Sequence, residues 1–237
     1  MRLDKFLSNM GYGSRTDVKK MITKGLVTVD GEIVKKVNAN INPDLQIIAL
    51  NGENIGYDKH LYILMNKPQG VISATDDSVH KTVIDLIKET YGNRKLFPVG
   101  RLDIDTEGML FITDDGNWNH ELMNPKKHIS KTYYAHVEGV VDELDIKAFQ
   151  SGIVLKDETK CQPSELKILE ADDISIIELK ITEGKYHQVK RMFAARGKRV
   201  VYLKRISIGG LNLDNSLELG EYRELTDEEL KKIKLEA

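Results

Sequence analysis

Short apolar runs of strand length interleave irregularly with helical patterns along this chain, and the breaks between them are polar or glycine-rich turns rather than long crossovers. Breaks of that kind favour strands that pair with antiparallel neighbours, so the expected class is α+β on a mixed, mostly antiparallel sheet. Strand-like runs fall at 61–65, 109–113, 132–138, 174–182 and 200–203, with a loop expected over 66–70. Helical patterns fall at 82–91, 118–123, 142–151 and 187–196. Near the end, Thr226 followed by Glu229 forms the capping-box signature of a last helix.

The first 36 residues have their own compact logic. Leu3, Phe6, Leu7 and Met10 recur at helical spacing until Gly11 and Gly13, and Ser14 with Asp17 opens a second helix carrying Val18, Met21 and Ile22 up to Gly25. Leu26–Val29 and Glu32–Val34 around Asp30-Gly31 predict a β-hairpin with a type I′ turn. Eight basic residues (Arg2, Lys5, Arg15, Lys19, Lys20, Lys24, Lys35, Lys36) face four acidic ones in this stretch. A lone charged helix is usually a solvated face, but the combination of two short helices, a hairpin and a basic surplus resembles the S4 RNA-binding module. Residues 51–60 are polar and carry two glycines. The expected division is therefore an S4-like domain over 1–56, a linker over 57–60 and a second domain over 61–237.

Charge and composition narrow the classes further. Thirty-five Lys and Arg against 37 Asp and Glu give a net charge of −2 over 237 residues, which excludes a histone-like basic protein but not local patches. The single cysteine, Cys161, can form neither an internal disulfide nor a cysteine-based zinc site alone, so a reducing, cytoplasmic setting is expected. No apolar run approaches the roughly 20 residues needed to span a bilayer, and charges interrupt the N-terminal residues where a signal core would lie.

Three segments carry chemistry. In Gly100-Arg101-Leu102-Asp103-Ile104-Asp105-Thr106-Glu107-Gly108, an acidic loop between glycines leads into an apolar strand. Such loops are usually plain polar turns; the alternative is a lone carboxylate nucleophile or base at Asp103. Asp103 and Asp105 are expected to face opposite ways, which argues against a glycosidase-type carboxylate pair. In Lys131–Val137, Tyr133 and Tyr134 must point to opposite faces of a strand, so at most one enters a shared cleft, where its ring suits stacking on a base. From Lys185 to Arg205 there are eight basic residues (Lys185, Lys190, Arg191, Arg196, Lys198, Arg199, Lys204, Arg205) and no acidic one, the pattern of a polyanion-binding patch. His187 has no partner at metal-ligand spacing.

Taken in order, G-R-L-D-x-D-T-x-G, the Lys131–Tyr133 strand and E-G-K-Y-H-Q-V-K-R-M-F resemble the signature motifs of the RsuA-type pseudouridine synthases, which carry an S4 domain ahead of a catalytic domain. The resemblance implies isomerisation of uridine to pseudouridine in small-subunit (16S) ribosomal RNA, without cofactor or metal. By position it makes Asp103 the catalytic aspartate, Tyr133 the active-site tyrosine, Lys190 the basic partner of the aspartate and Leu203 the residue packed under the tyrosine. Arg101, Gln188 and Arg191 become substrate-binding residues, while Arg2, Lys5, Arg15, Lys19, Lys20, Lys24, Lys185 and Arg205 become RNA-binding ones. Lys190 is expected to favour the charged form of Asp103 in a site that excludes water. The partner implied is ribosomal RNA or a ribosome assembly intermediate, with no membrane and a monomeric protein. Competing readings are a large-subunit enzyme of the same family, a noncatalytic assembly factor using the same basic surfaces, and an N-glycosidase that would release uracil.

Overall fold

The computed structural model describes residues 1–43, 45–56, 60–92 and 94–235. The described chain divides into two compact units, one of residues 1–61 with 87–96, the other of 62–86 with the chain from 97 onward. Of the linker expected over 57–60, residues 57–59 lie outside the described residues.

The first unit begins with helices α1 (Leu3–Asn9) and α2 (Arg15–Thr23). The α2 entry is a reciprocal cap: the Ser14 hydroxyl accepts from the Asp17 backbone N–H at 3.3 Å, while the Asp17 carboxylate accepts from the Ser14 N–H at 3.2 Å. Strands β1 (Val27–Val29), β2 (Glu32–Ile33), β3 (Ile48–Leu50) and β4 (Glu53–Asn54) form an antiparallel sheet in the order β2-β1-β3-β4. Asp30 and Gly31 have φ of 53° and 84°, as the type I′ turn requires. Leu3, Phe6, Leu7, Val18 and Ile22 from the helices close on Val27, Val29 and Ile48 from the sheet, so the apolar spacing read from the sequence is the core.

The rest of the chain adds β5 (Tyr62–Lys67), α3 (Lys88–Tyr91, in the segment grouped with the first unit), β6 (Phe97–Val99), β7 (Glu107–Thr113), α4 (Gly116–Met123), β8 (Lys131–Glu138) and α5 (Glu143–Ser151). It continues with β9 (Glu165–Glu170), β10 (Ile174–Ile181), α6 (Gln188–Ala195), β11 (Arg199–Ile208), β12 (Leu211–Asn212), β13 (Tyr222–Glu224) and α7 (Asp227–Leu235). One sheet runs β13-β5-β7-β11-β8-β10-β9, with β6 on β7 and β12 on β11; among its described strand pairs only β7–β11 is parallel. The α+β, mostly antiparallel expectation holds. Strand β7 is buried along its whole length, and Leu64, Met109 and Phe111 pack with Trp118, Leu122 and Ile233 from α4 and α7.

Two local expectations fail. The helix read over 82–91 is a helix only at Lys88–Tyr91. Upstream, Thr82 pairs with Ile72 in a β-bridge and exchanges hydrogen bonds with Asp85, its amide and hydroxyl donating to the carboxylate at 2.9 Å and its hydroxyl accepting from the Asp85 N–H at 3.1 Å, and residues 83–87 then run as turns. The loop read over 66–70 begins two residues late, because Asn66 and Lys67 continue β5 opposite Met109 and Gly108. No helix among the described residues is long and apolar enough to cross a membrane.

Candidate active site

The acidic motif forms a turn leading into β7. The Thr106 N–H closes that turn on the Asp103 carbonyl at 3.1 Å. Lys67, fully buried at the end of β5, holds the turn from beneath: its Nζ donates to the carbonyls of Pro68 (3.0 Å), Asp103 (3.1 Å) and Thr106 (2.9 Å). Burial pushes this ammonium down to about 8, against the pull of the nearby Asp105 and Asp103. Ser73 adds a second brace, its hydroxyl donating to the Leu102 carbonyl (3.1 Å) and accepting from the Leu102 N–H (3.0 Å). Gly108 has φ of +102°, and a Cβ there would lie 2.2 Å from the Arg205 carbonyl oxygen. The glycine that ends the motif thus allows β7 and β11 to run side by side.

Across the turn stands α6, whose first turn brings Lys190 to the acidic loop. The Lys190 Nζ lies 3.1 Å from Asp103 Oδ2 and 2.6 Å from Asp105 Oδ1. Burial alone would depress this ammonium, but its bonds to Asp105 and Asp103 outweigh it and hold it above the ordinary lysine value. For Asp105 burial acts upward, and the bond from Lys190 prevails to keep it below its usual range. Asp103 and Asp105 therefore do not diverge as expected. Residues two apart in an extended segment share a side, and here a turn swings both carboxylates onto one cation. His187, at the N-cap of α6 with φ of 46°, places Nε2 3.4 Å from Asp103 Oδ1 and stacks on the Tyr186 ring at 3.8 Å.

These groups open onto a cavity of about 490 Å³, within the range that holds small ligands. Asp103, Arg101, Tyr133, Leu203, Lys190, Gln188, Lys185 and Arg205, eight of the expected residues, line it together with Lys131 and His187. Strand β8 alternates buried and half-buried along its length, so Tyr133 enters the cavity while Tyr134 turns to the other sheet face and bonds His136 at 3.1 Å. That part of the reading is as expected.

Other assignments change. Arg191 does not line the cavity; its guanidinium pairs with Asp157 and donates to the Tyr186 carbonyl. Gln188 is buried and its amide is engaged within the protein, accepting from the Lys185 N–H at 2.8 Å and donating to Glu183 at 2.5 Å. It shapes the 183–188 loop. The expected polyanion patch over 185–205 is largely neutralised internally: Lys185 pairs with Glu183, Arg196 and Lys198 with Asp145, and Arg199 with Glu138. Arg205 is not a surface residue; only 3% is exposed and its Nε donates to the Met109 carbonyl at 2.7 Å. Acidic partners distant in sequence are invisible to a window that counts charge locally. In the first unit, by contrast, Lys5, Arg15, Lys19, Lys20 and Lys24 are exposed, and Arg2 pairs with Asp4.

Sequence reasoning missed Lys67, Ser73, Asp105 and His187 as parts of this site. The sequence places Lys67 in a loop whereas it ends β5, and nothing local announces that it is buried under residues 103–106. Among the described residues no cluster of three or more His, Cys, Asp or Glu is arranged to hold a metal.

Comparison with known proteins agrees with this architecture. Residues 61–195 match the RNA pseudouridylate synthase family model and residues 1–47 the S4 domain. The chain is 48% identical over 231 residues to the RNA pseudouridine synthase YtzG of Bacillus subtilis (strain 168), covering 97% of each protein. It is 42% identical over 234 residues to ribosomal small subunit pseudouridine synthase A of Escherichia coli (strain K12), covering 97% of this chain and 98% of that one. A crystal structure of a pseudouridylate synthase superposes with a TM-score of 0.69 at 40% identity, over 98% of this chain and 99% of that one. With a matching catalytic-domain model over most of its length and an S4 domain before it, the chain belongs to the RNA pseudouridylate synthase family and is an RNA pseudouridine synthase.

Proposed function

We propose that this enzyme isomerises a uridine of small-subunit ribosomal RNA to pseudouridine, with Asp103 as the group that acts on the ribose. The observation that carries the reading is the Asp103 carboxylate held at 3.1 Å by Lys190 on the wall of a cavity that also presents Tyr133 and Leu203. The Escherichia coli relative's name supports the small subunit as target. A uridine turned out of folded RNA enters the cavity, at an unstacking penalty of about a few kcal/mol. Its base lies against Tyr133, with Leu203 packed below the ring. Asp103 then either attacks C1′ or removes a proton from C2′, with the Lys190 ammonium beside it at 3.1 Å. Arg101, exposed on the cavity wall, contacts the flipped nucleotide.

Residues 1–56 form the module that holds the RNA, through Lys5, Arg15, Lys19, Lys20 and Lys24, and residues 61–237 carry the chemistry. The protein acts as a monomer in the cytoplasm, on ribosomal RNA or an assembly intermediate. The test is Asp103→Asn in the full chain, assayed on a small-subunit transcript by carbodiimide adduct mapping. Loss of the adduct with RNA binding retained is the expected result. Turnover by the variant sinks the assignment of Asp103; free uracil in place of an isomer would make the protein a glycosidase; modification only of large-subunit RNA would move the target.

A further inference from the structure

Among the described residues, five basic side chains but only one carboxylate, Asp103, line the cavity. Three of the five have an evident setting: Lys190 on Asp103 and Asp105, Lys185 on Glu183, and Arg101 exposed. Lys131 and Arg205 do not. They are 8% and 3% exposed, and among the described residues neither forms an ion pair. The Lys131 ammonium donates to the Ile129 carbonyl at 2.9 Å. The Arg205 guanidinium donates through Nε to Met109, and its Nη2 is buried with no partner.

Adjacent antiparallel strands bring the two together, since Arg205 on β11 sits opposite Tyr133 on β8, two residues from Lys131. Burial, and then the charge of Arg205, push the Lys131 ammonium down to about 8. Two buried cations without an anion are a standing penalty in a folded protein, unless an anion forms beside them during function.

The reaction proposed above makes such an anion. When the C1′–N1 bond breaks, its electron pair leaves with the base, and the detached uracil carries a full negative charge shared by N1 and the two carbonyl oxygens. We propose that Lys131 and Arg205 form a cationic floor that stabilises this detached uracil anion; the proposal rests on the function argued above. The balance is closed. Asp103 either bonds to C1′ or takes a proton from C2′ as N1 leaves with its pair. The anion turns, C5 bonds to C1′, and Asp103 is displaced or returns its proton. The C5 proton is then lost and N1 gains one, which leaves an isomer of unchanged mass. Neutral bound uracil gains little from two nearby cations and the anion gains much, so the pair acts on the rate more than on binding. The same field keeps the loose base in the cavity until it rejoins the sugar. A phosphate bound there would behave differently, because it is charged before and after the chemistry and would be felt in affinity.

That difference sets the test. Full-length wild type, Lys131→Met and Lys131→Arg are compared in single-turnover cleavage of the C1′–N1 bond, on small-subunit transcripts made with uridine or with 5-fluorouridine, whose detached base is a more stable anion. Lys131→Met is expected to slow uridine by about 100-fold and 5-fluorouridine by clearly less, with RNA affinity unchanged; Lys131→Arg keeps most of the rate. Equal losses on the two transcripts, a loss of affinity alone, or a fall in melting temperature that accounts for the lost rate would overturn the cationic floor while the enzyme stands. A wild type inert on both transcripts would remove the proposed function itself, and this inference with it.

Discussion

Lys190 carries one positive charge and serves two carboxylates, Asp103 at 3.1 Å and Asp105 at 2.6 Å. Its replacement leaves two carboxylates facing each other on one turn without the ammonium that bonds both, with the buried Lys67 and His187 as the remaining nearby groups. Lys190→Ala is expected to cut turnover by about 100-fold or more while the melting temperature moves little, because the side chain spans the cavity wall rather than the core; parallel losses in rate and stability would make the lysine structural. Lys131 allows a prediction of the opposite kind. Its folded value, about 8, lies below the ordinary lysine value of 10.5, so between those pH values the unfolded chain binds more protons than the folded one. Stability is therefore greatest above about 10.5 and is lost as pH falls through 8, by up to about 3 kcal/mol for this group. Lys67, also pushed to about 8, adds a contribution of the same sign. Lys131→Met should raise the melting temperature at pH 7 and flatten its rise between pH 8 and 10; a variant whose melting curve follows pH as the wild type does would refute the buried-charge account.

Among the elements, β7 and β11 decide the site. Their parallel pairing places Gly108 opposite Arg205, and the glycine is required by contact as well as by its φ of +102°. Gly108→Ala drives a methyl into the Arg205 backbone and should cost about 3 kcal/mol, read as a lower urea midpoint, together with loss of activity as the Asp103 turn shifts. An unchanged midpoint would mean the strands can part there cheaply. Helix α6 shows how far sequence spacing reaches. Its extent, 188–195 against an expected 187–196, was legible from periodicity, whereas the left-handed His187 that aims its first turn at Asp103 was not. The 82–91 segment teaches the same lesson in reverse: a helical pattern yields when the Thr82 backbone finds a strand partner in Ile72.

For the whole molecule, a net charge of −2 conceals an asymmetry between the two basic stretches. The catalytic stretch spends most of its cations on acids brought from elsewhere in the chain, but Lys19, Lys20 and Lys24 on and after α2 remain exposed. RNA affinity should therefore depend on the first unit. Replacing those three lysines by alanine is expected to weaken binding and to lower the slope of log affinity against log salt by about 2, with single-turnover chemistry at saturating RNA unaffected; an unchanged salt slope would place the phosphate contacts elsewhere.

The α+β class, the helix-helix-hairpin start, the Asp103 motif and the separation of Tyr133 from Tyr134 are legible along the chain alone, because periodicity, turn chemistry and strand alternation act between near neighbours. The three-dimensional packing alone settles which charges are used internally, that Asp105 joins Asp103 on Lys190, that Lys67 holds the turn from below, and that Lys131 and Arg205 lie buried without an ion-pair partner among the described residues. Those outcomes depend on contacts between residues as much as 96 positions apart, such as Arg205 with Met109, and on the loss of solvent that follows them. Local spacing encodes neither.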